Sequence, residues 1–310
     1  MSSSGSKNSQ SSSNKLVIIG LGLIGGSLAA AYKARHNLVD NALEVIGVVR
    51  RSETAEYALN NNIVDRAVLS LAEIAPELGA GDIIFIAVPT LSVVDSLVEI
   101  KNRVDPAVTI TDGASVKGNI VAAVNEIYKG YPEQFVPGHP IAGSEKSGVT
   151  AANANLYVNH RVILTPVDET GNDHYQTIKN LWEAVDAEVL TMSVSEHDAV
   201  LAATSHLPHA IAYSLVDTLA NDSDNENIFR YAAGGFKDFT RIASSNPTMW
   251  HDIMCANSTE VLSAIDLFQN NLNNLRAAIE KKDSEKLLTI FNRAKTARDE
   301  FSTIVEKEND

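Results

Sequence analysis

The side chains from which a catalytic site could be built are concentrated in three short segments of the 310-residue sequence. These segments are TDGASVKG (111–118), FVPGHPIAGSEKSGV (135–149) and SHLPHA (205–210). The second is the most informative, because it places His139 between two prolines, directly after a short apolar run. Histidine is the side chain whose pKa lies closest to neutral pH, which suits it to accept a proton during a reaction. His139 is therefore the first candidate for a catalytic base.

The third segment lies in an apolar stretch that is expected to be helical. At 100° per residue, Asp198, Ser205 and His209 fall within about 40° of one another on such a helix. Polar groups on one stripe of an apolar helix need hydrogen-bond partners or a ligand. A structural hydrogen bond is the simpler explanation for any single histidine, whereas the set of three favours a site. His206 and His209 could also hold zinc, but no motif such as H-E-x-x-H is present, and we predict no metal site.

A further group of basic residues follows in GGFKDFTRIASSNPTMW (234–250). Two glycines precede Lys237 and Arg241, and the segment ends at Trp250. The glycines indicate a loop, and the two bases could hold carboxylates of a ligand. A solvated, charged loop is the alternative explanation of the same pattern.

A glycine-rich turn near the N-terminus predicts a dinucleotide site. VIIGLGLIGGS (17–27) has Gly20, Gly22 and Gly25 in G-x-G-x-x-G spacing, after an apolar strand and at the start of a helix. In that context the glycines permit a tight turn, close approach of the backbone to a pyrophosphate, and close helix–strand packing. The pyrophosphate would lie at the helix N-terminus, where free N–H groups favour an anion. We also assign Leu23, Ile24, Val88 and Pro89 to this site.

The end of the second predicted strand favours one dinucleotide over the other. NAD sites usually carry Asp or Glu there, to hold the ribose 2′-hydroxyl. This chain has Arg50, Arg51 and Ser52 instead. A guanidinium pairs with a 2′-phosphate through two hydrogen bonds, whereas a carboxylate would repel it. We therefore predict that NADP is preferred and that NAD is possible; the alternative is that the arginines form a solvated corner.

Composition limits the classes of protein and partner. Apolar residues make up 45% of the chain, which indicates a globular protein, and the formal charge of −14 argues against nucleic acid or an anionic membrane as partner. The serine-rich residues 1–14 are expected to be disordered. The apolar run after Lys15 resembles a signal peptide, but its glycine spacing favours a strand, turn and helix; we expect no other segment to approach the roughly 20 apolar residues of a membrane span. The single cysteine, Cys255, fits a reducing cytoplasm.

Residues 15–192 alternate short β-branched runs with helical patterns, which predicts an α/β domain with a doubly wound, mostly parallel sheet. The predicted strands are KLVIIG, LEVIGVV, DIIFIAV, AVTITD, RVILTP and AEVLTM. The predicted helices cover about 24–36, 52–61, 90–103, 115–129 and 172–186. From 193 to 310 the pattern is helical, and this part is expected to form a second domain.

Three helix starts and one long apolar stripe are visible in the second part. Ser195 to Asp198 has the spacing of a capping box, Asn246-Pro247 places proline at a first helical position, and a last helix is expected after Asp283. Apolar residues recur at steps of three and four from Met254 to Ile279. Such a stripe is typical of a coiled-coil seam. It could pack against helices of the same chain; we favour packing against a second subunit.

The motifs together resemble those of one enzyme family. GLGLIGGS, TDGASVKG, GHPIAGSEKSG, SHLPHA and GGFKDFTRIA occur in this order in the prephenate dehydrogenase family of tyrosine biosynthesis, and the resemblance extends from about Lys15 to Thr303. It implies a Rossmann-type domain followed by an all-α dimerisation domain. It also implies a homodimer that oxidatively decarboxylates prephenate to 4-hydroxyphenylpyruvate, with release of CO2 and a reduced cofactor.

The resemblance assigns roles to the candidate residues. His139 would act as the base that polarises the 4-hydroxyl of prephenate, and Ser115 would hydrogen-bond the same group. Arg241 would hold a substrate carboxylate, and His209 would contact the pyruvyl side chain. The other residues assigned to the substrate site are Ser144, Glu145, Asp198, Ser205, His206, Lys237 and Trp250. The two acids of this set would organise Arg241 and gate the pocket.

Three alternatives remain open at this point. Arogenate, which has an amino group in place of the keto oxygen, is the nearest rival substrate; His209 favours prephenate, or the use of both. A β-hydroxyacid dehydrogenase would need a lysine and an asparagine one helical turn apart, a pair that we do not find convincingly in the helical part. A protein that only senses NADP would lack a base and a carboxylate anchor, whereas His139, Ser115 and Arg241 are present.

Overall fold

The computed structural model describes residues 14–36, 42–144, 146–222 and 229–309. The predicted tail at 1–14 lies outside these ranges except for Asn14, as does Glu145. The strands are β1 (Lys15–Ile19), β2 (Glu44–Val48), β3 (Arg66–Val68), β4 (Ile83–Ile86), β5 (Thr109–Asp112), β6 (Phe135–Val136), β7 (Gly138–Pro140), β8 (Arg161–Leu164) and β9 (Glu188–Thr191). The α-helices are α1 (Leu23–His36), α2 (Ser52–Asn60), α3 (Leu71–Ile74), α4 (Val93–Arg103), α5 (Gly118–Tyr128), α6 (Asn172–Glu183), α7 (Val194–Leu201), α8 (Leu207–Ala220), α9 (Gly234–Thr240), α10 (Pro247–Ala256), α11 (Ser258–Glu280) and α12 (Ser284–Asn309).

Six parallel strands form the main sheet, in the order β3-β2-β1-β4-β5-β6. The inner strands are apolar on both faces, because helices cover both faces; Leu16, Val17 and Ile18 of β1 have no exposed surface. The strand order reverses between β1 and β4, and in such sheets ligands bind outside the carboxyl ends of the strands at that point. The predicted fold, a Rossmann-type sheet followed by helices, is confirmed.

A second, smaller sheet corrects one prediction. The segments RVILTP and AEVLTM were expected to belong to the main sheet, but as β8 and β9 they form a separate three-stranded sheet with β7. Strand β7 is antiparallel to β8, with His139 opposite Ile163. Pro137, between β6 and β7, has no N–H for a ladder, and its carbonyl accepts a hydrogen bond from Thr165 at 2.9 Å. The chain therefore leaves the main sheet at this proline, and His139 lies in a short strand.

The helical segment from Val194 to Ala220 differs from the prediction in two ways. Ser193, two residues before the predicted cap, is the N-cap, and its hydroxyl accepts from the N–H of Glu196 at 3.2 Å. Between α7 and α8 the backbone forms a π-helical turn over Ala202–His206. A π turn is wider than an α turn, so the prediction that Asp198, Ser205 and His209 share one stripe fails. Pro208 lies in the first turn of α8.

The same segment also corrects the expectation about membrane spans. Val194–Ala220 is 27 residues long, and the mean hydropathy of its most apolar 18-residue window is 1.2. Length and composition alone would therefore allow it to cross a membrane. This is weak evidence for a span. The segment carries Asp198 and His206, whose buried side chains hydrogen-bond to residues elsewhere in the chain.

The long apolar stripe is divided between two helices. Helix α10 ends before Asn257, and α11 begins at Ser258. The two other predicted helix starts are confirmed, since Asn246 caps α10 by accepting from Met249 N–H at 3.1 Å and Asp283 accepts from Lys286 N–H before α12.

The chain has two compact units, one up to Ser258 and one from Thr259 onward. The second unit consists of α11 and α12. The division at 192/193 between a dinucleotide domain and a helical domain stays a prediction.

Candidate active site

The glycine-rich turn has the shape that a pyrophosphate requires. Gly20 has a φ of +97°, and a Cβ atom there would lie 2.7 Å from the carbonyl oxygen of Ala87. A Cβ at Gly25 would lie 2.1 Å from the carbonyl oxygen of Gly20. At Gly22, by contrast, a Cβ would meet no atom within 4 Å. The first and third glycines are thus needed for packing and the second borders open space, so the turn fits a dinucleotide phosphate.

The other predicted cofactor residues surround this turn. Leu23 and Ile24 open α1, where backbone N–H groups have no helical partner, and the Ile24 carbonyl accepts from the hydroxyl of Tyr157 at 2.7 Å. Val88 packs beside Gly20, and Pro89 is exposed after β4.

Arg50, Arg51 and Ser52 lie where β2 passes into α2, and all three are exposed. Among the residues that the structure describes, neither guanidinium forms an ion pair or a hydrogen bond. Both bases are therefore available to a ligand at the end of β2, the position where the second ribose of a dinucleotide binds in this fold.

His139 is buried and held by a chain of hydrogen bonds. Its side chain is 8% exposed, and its Nδ1 lies 2.9 Å from Nε2 of His197. His197, which has no exposed surface, places its own Nδ1 2.7 Å from Oδ1 of Asp198. The Nε2 of His139 has no hydrogen-bond partner among the described residues and is not fully buried. His139 therefore offers one nitrogen to the protein and keeps the other free.

Asp198 is anchored to the β5–α5 connection. Its carboxylate accepts from the backbone N–H groups of Lys117, at 2.9 Å, and Gly118, at 2.7 Å. Burial raises the pKa of Asp198, but these bonds and the one from His197 hold that pKa below its ordinary value. These contacts tie Asp198 to the segment that follows β5, and the expectation that it organises Arg241 stays a prediction.

Asp112 and Lys117 form a fully buried ion pair beneath the histidine. Lys117 Nζ also donates to the carbonyl oxygen of Gly138, next to His139, at 2.6 Å. Burial lowers the pKa of Lys117, and Asp112 opposes that shift. The two side chains tie the end of β5 to β7 and fix the position of His139.

Burial keeps the site's histidines neutral. It lowers the pKa of His139 well below 6.5, and His197, Lys117 and His206 add to this effect. Burial also lowers the pKa of His197, against the opposing bond to Asp198. A neutral imidazole at neutral pH is the form that accepts a proton.

His206 and His209 have different surroundings. His206 is buried and lies 3.2 Å from Nδ2 of Asn257, and burial lowers its pKa to about 4. His209 is half-buried and stacks on Trp250, with ring centroids 3.5 Å apart. Its Nδ1 lies 2.8 Å from the carbonyl oxygen of Ser205. His206 is thus a structural partner of Asn257, whereas His209 presents Nε2 beside an aromatic face.

The remaining predicted site residues differ in exposure. Trp250 is buried and packs against Val116 of the β5–α5 connection, which joins the helical residues to the dinucleotide side. Arg241 is exposed, and its charge contributes to lowering the pKa of His209, behind the larger effect of burial. Ser115 and Ser205 are half-buried, and Ser144 and Lys237 are exposed. Glu145 lies outside the described residues.

Sequence reasoning missed two participants. His197 was noted only as part of a predicted cap, and Asn257, which lies within the range of the apolar stripe, was given no role. Asn257 donates to the Asp198 carbonyl at 2.9 Å as well as contacting His206. A histidine directly before a buried acid, and an asparagine inside an apolar stripe, were the available signals, because buried polar groups need partners.

A Rossmann-type sheet, an open glycine turn and a buried neutral histidine near the ends of the strands define a dinucleotide-dependent oxidoreductase. Comparison with known proteins identifies which one. The nucleotide-binding domain model of prephenate dehydrogenase matches residues 29–191, and the dimerization domain model matches 193–293. The chain belongs to the prephenate dehydrogenase family, as the motifs predicted.

Similar proteins carry related names. The chain is 36% identical over 289 residues to prephenate dehydrogenase of Bacillus subtilis, covering 92% of this chain and 75% of that one. It is 35% identical to cyclohexadienyl dehydrogenase of Zymomonas mobilis, and the match covers 91% of this chain and 94% of that protein. The solved prephenate dehydrogenase of Aquifex aeolicus, in complex with hydroxyphenyl propionate and NAD⁺, is 36% identical with a TM-score of 0.85, covering 93% and 98%.

Proposed function

We propose that this chain oxidatively decarboxylates prephenate to 4-hydroxyphenylpyruvate, with a nicotinamide dinucleotide as hydride acceptor. The observation that carries the proposal is Nε2 of buried His139, which has no hydrogen-bond partner among the described residues and lies on a strand that contacts the end of β5. A Cβ at Gly113 would contact Ile24 of that turn at 3.5 Å, and a Cβ at Gly138 would lie 3.1 Å from the Asp112 carbonyl oxygen. The base and the cofactor turn are thus connected through the end of β5.

The reaction needs a base that accepts a proton and an acceptor for a hydride. His139 accepts the proton of the 4-hydroxyl at Nε2 as the C4 hydrogen leaves with its electron pair; the cofactor supplies the acceptor for that hydride. The bond from C1 to the ring carboxylate then breaks, CO2 leaves, and its electrons make the ring aromatic. The C4 oxygen takes back the proton from His139. The enzyme ends unchanged, and the products are CO2, 4-hydroxyphenylpyruvate and reduced cofactor.

We assign substrate binding to Ser115, Arg241 and His209. Ser115 would hydrogen-bond the 4-hydroxyl, Arg241 would pair with a carboxylate, and His209 on its Trp250 platform would contact the pyruvyl group. We keep the supporting positions Ser144, Glu145, Ser205, His206 and Lys237 as proposals.

Arg241→Ala is expected to raise KM for prephenate about 10- to 100-fold with a smaller change in kcat, because a charge-assisted pair to a carboxylate contributes about 1.5–3 kcal/mol. Initial rates over a range of substrate concentrations measure both constants. Lys281→Ala, at an exposed base with no role in the proposed site, is the control. An unchanged KM in Arg241→Ala would remove Arg241 as the anchor.

We propose NADP as the preferred cofactor, supported by the exposed guanidinium groups of Arg50 and Arg51, which have no partner in the part of the chain that the structure describes. Arg50→Asp is expected to shift the ratio of kcat/KM for NADP⁺ over NAD⁺ towards NAD⁺ by at least about tenfold, because a carboxylate repels the 2′-phosphate and accepts from a 2′-hydroxyl. Steady-state rates with each cofactor give the ratio. An unchanged ratio would show that these arginines do not read the 2′ position.

We propose that the chain forms a homodimer through its helical part, in a reducing compartment such as the cytoplasm. Its matched dimerization domain and large exposed apolar residues of α11 and α12, among them Leu262, Leu267, Leu272, Leu288 and Phe291, support the dimer. The free, exposed thiol of Cys255 supports the compartment. A solution mass of one chain would contradict the dimer.

The deciding experiment mixes the purified protein with prephenate or arogenate and with NADP⁺ or NAD⁺, and follows the absorbance of reduced cofactor. Turnover of prephenate is the expected result. Turnover of arogenate alone would replace the substrate, and no turnover of either would reject the function.

A further inference from the structure

We propose that His197 and Asp198 are positioning residues that hold His139 in the tautomer with a proton on Nδ1, which leaves Nε2 free to act as the base. The catalytic consequence rests on the proposed function; the tautomer itself does not. The inference follows from the hydrogen-bond chain from Asp198 through His197 to His139, at 2.7 and 2.9 Å.

The proton assignment begins at Asp198. An ionised carboxylate only accepts hydrogen bonds. Oδ1 of Asp198 accepts from the Lys117 N–H and Oδ2 from the Gly118 N–H, so this carboxylate is surrounded by donors. The Nδ1 of His197, which also faces Oδ1, must therefore carry a proton.

The assignment then passes to the catalytic histidine. A neutral imidazole carries one proton, so a protonated Nδ1 leaves Nε2 of His197 as an acceptor. The group that faces this nitrogen is Nδ1 of His139, which must donate. The remaining Nε2 of His139 then has the lone pair needed to accept a proton from a substrate hydroxyl.

The surrounding charges favour this neutral arrangement. Lys117, paired with Asp112, lies near both histidines and disfavours a further proton on either, and His206 adds to the effect at His139. Asp198 is the acid that is hydrogen-bonded to His197 and so to the pair of histidines. When His139 accepts a proton at Nε2, the new charge is stabilised from the far side by Asp198 through His197.

The free protein allows a direct test without substrate. Nitrogen-15 NMR of histidine-labelled protein, with the His139 signals assigned from their loss in His139→Asn, is expected to show a protonated Nδ1 and an unprotonated Nε2 at pH 7. The opposite tautomer in the wild-type protein would overturn the proposal. If this tautomer is found while prephenate is not turned over, the function fails and the positioning role stands.

Three variants test this hydrogen-bond chain. Asp198→Asn can donate to Nδ1 of His197 and so reverse both tautomers; we expect kcat to fall about 10²-fold or more with little change in KM. His197→Leu should also lower kcat, and His197→Gln, whose amide oxygen can accept from His139, should recover most of it. His174→Gln is the control, since His174 bonds to Thr109 at the other end of β5. If Asp198→Asn does not fold, the comparison of His197→Leu with His197→Gln decides. Equal kcat values in these two variants would reject the positioning role of His197.

Discussion

Replacing His139 by asparagine is expected to lower kcat for prephenate by about 10²–10⁴-fold, the range that a positioned general base supplies. Asparagine can still donate an amide N–H to His197, but it has no counterpart of the free Nε2. The change should therefore leave folding and cofactor affinity nearly unaffected. Initial rates, together with fluorescence titration of the cofactor, measure the two effects separately. Turnover close to that of the wild type would exclude His139 as the base.

The pH profile gives a second test of the same residue. A base must be neutral to act, and it is neutral above its pKa. Because burial, with smaller contributions from His197, Lys117 and His206, lowers the pKa of His139 well below 6.5, kcat/KM should stay level from neutral pH to below 6.5 before it falls. A loss of activity centred above pH 7 that disappears in the asparagine variant would contradict this electrostatic environment.

Gly25→Ala is expected to destabilise the dinucleotide domain and abolish measurable cofactor binding. The added Cβ would lie 2.1 Å from the Gly20 carbonyl oxygen and 2.8 Å from Cγ2 of Ile18, so the backbone of the turn or of α1 must move. Overpacking of this kind costs about 1–3 kcal/mol of folding free energy. Thermal unfolding and cofactor titration measure the two losses. Wild-type stability and affinity would show that the turn does not pack as described.

Gly22→Ala is the matched control in the same turn. Its Cβ meets nothing within 4 Å, so the free energy of unfolding should change little. The methyl group would occupy the space assigned to the pyrophosphate, and cofactor affinity should therefore fall. Equal destabilisation by both substitutions would reject the different roles assigned to the two glycines.

The sequence was a good guide to the main sheet, because local patterns decide it. Fully apolar runs such as the one in β1 can only be covered on both faces, and a glycine turn after such a run leaves little choice of structure. The second sheet was assigned wrongly because its register depends on Pro137 and Thr165, residues 28 positions apart in the sequence whose backbone groups meet only after folding.

In the candidate site, too, local sequence patterns indicated some features, and others depended on the folded structure. Motifs made His139, Ser115 and Arg241 candidates, which stay predictions, and the helical stripe of Asp198, Ser205 and His209 failed because a π turn interrupts the α-helix. A π turn changes the direction of every side chain after it, and the sequence carries no dependable sign of it.

Residue types, their order and their spacing thus determined the dinucleotide turn and the four inner strands of the main sheet, and they made His139 the candidate base. Only the tertiary structure decided the partners of that histidine. His139 and His197 are 58 positions apart, and Lys117 and Asp198 are 81 apart. Hydrogen bonds between such distant residues depend on how whole strands and helices pack, which no local pattern encodes.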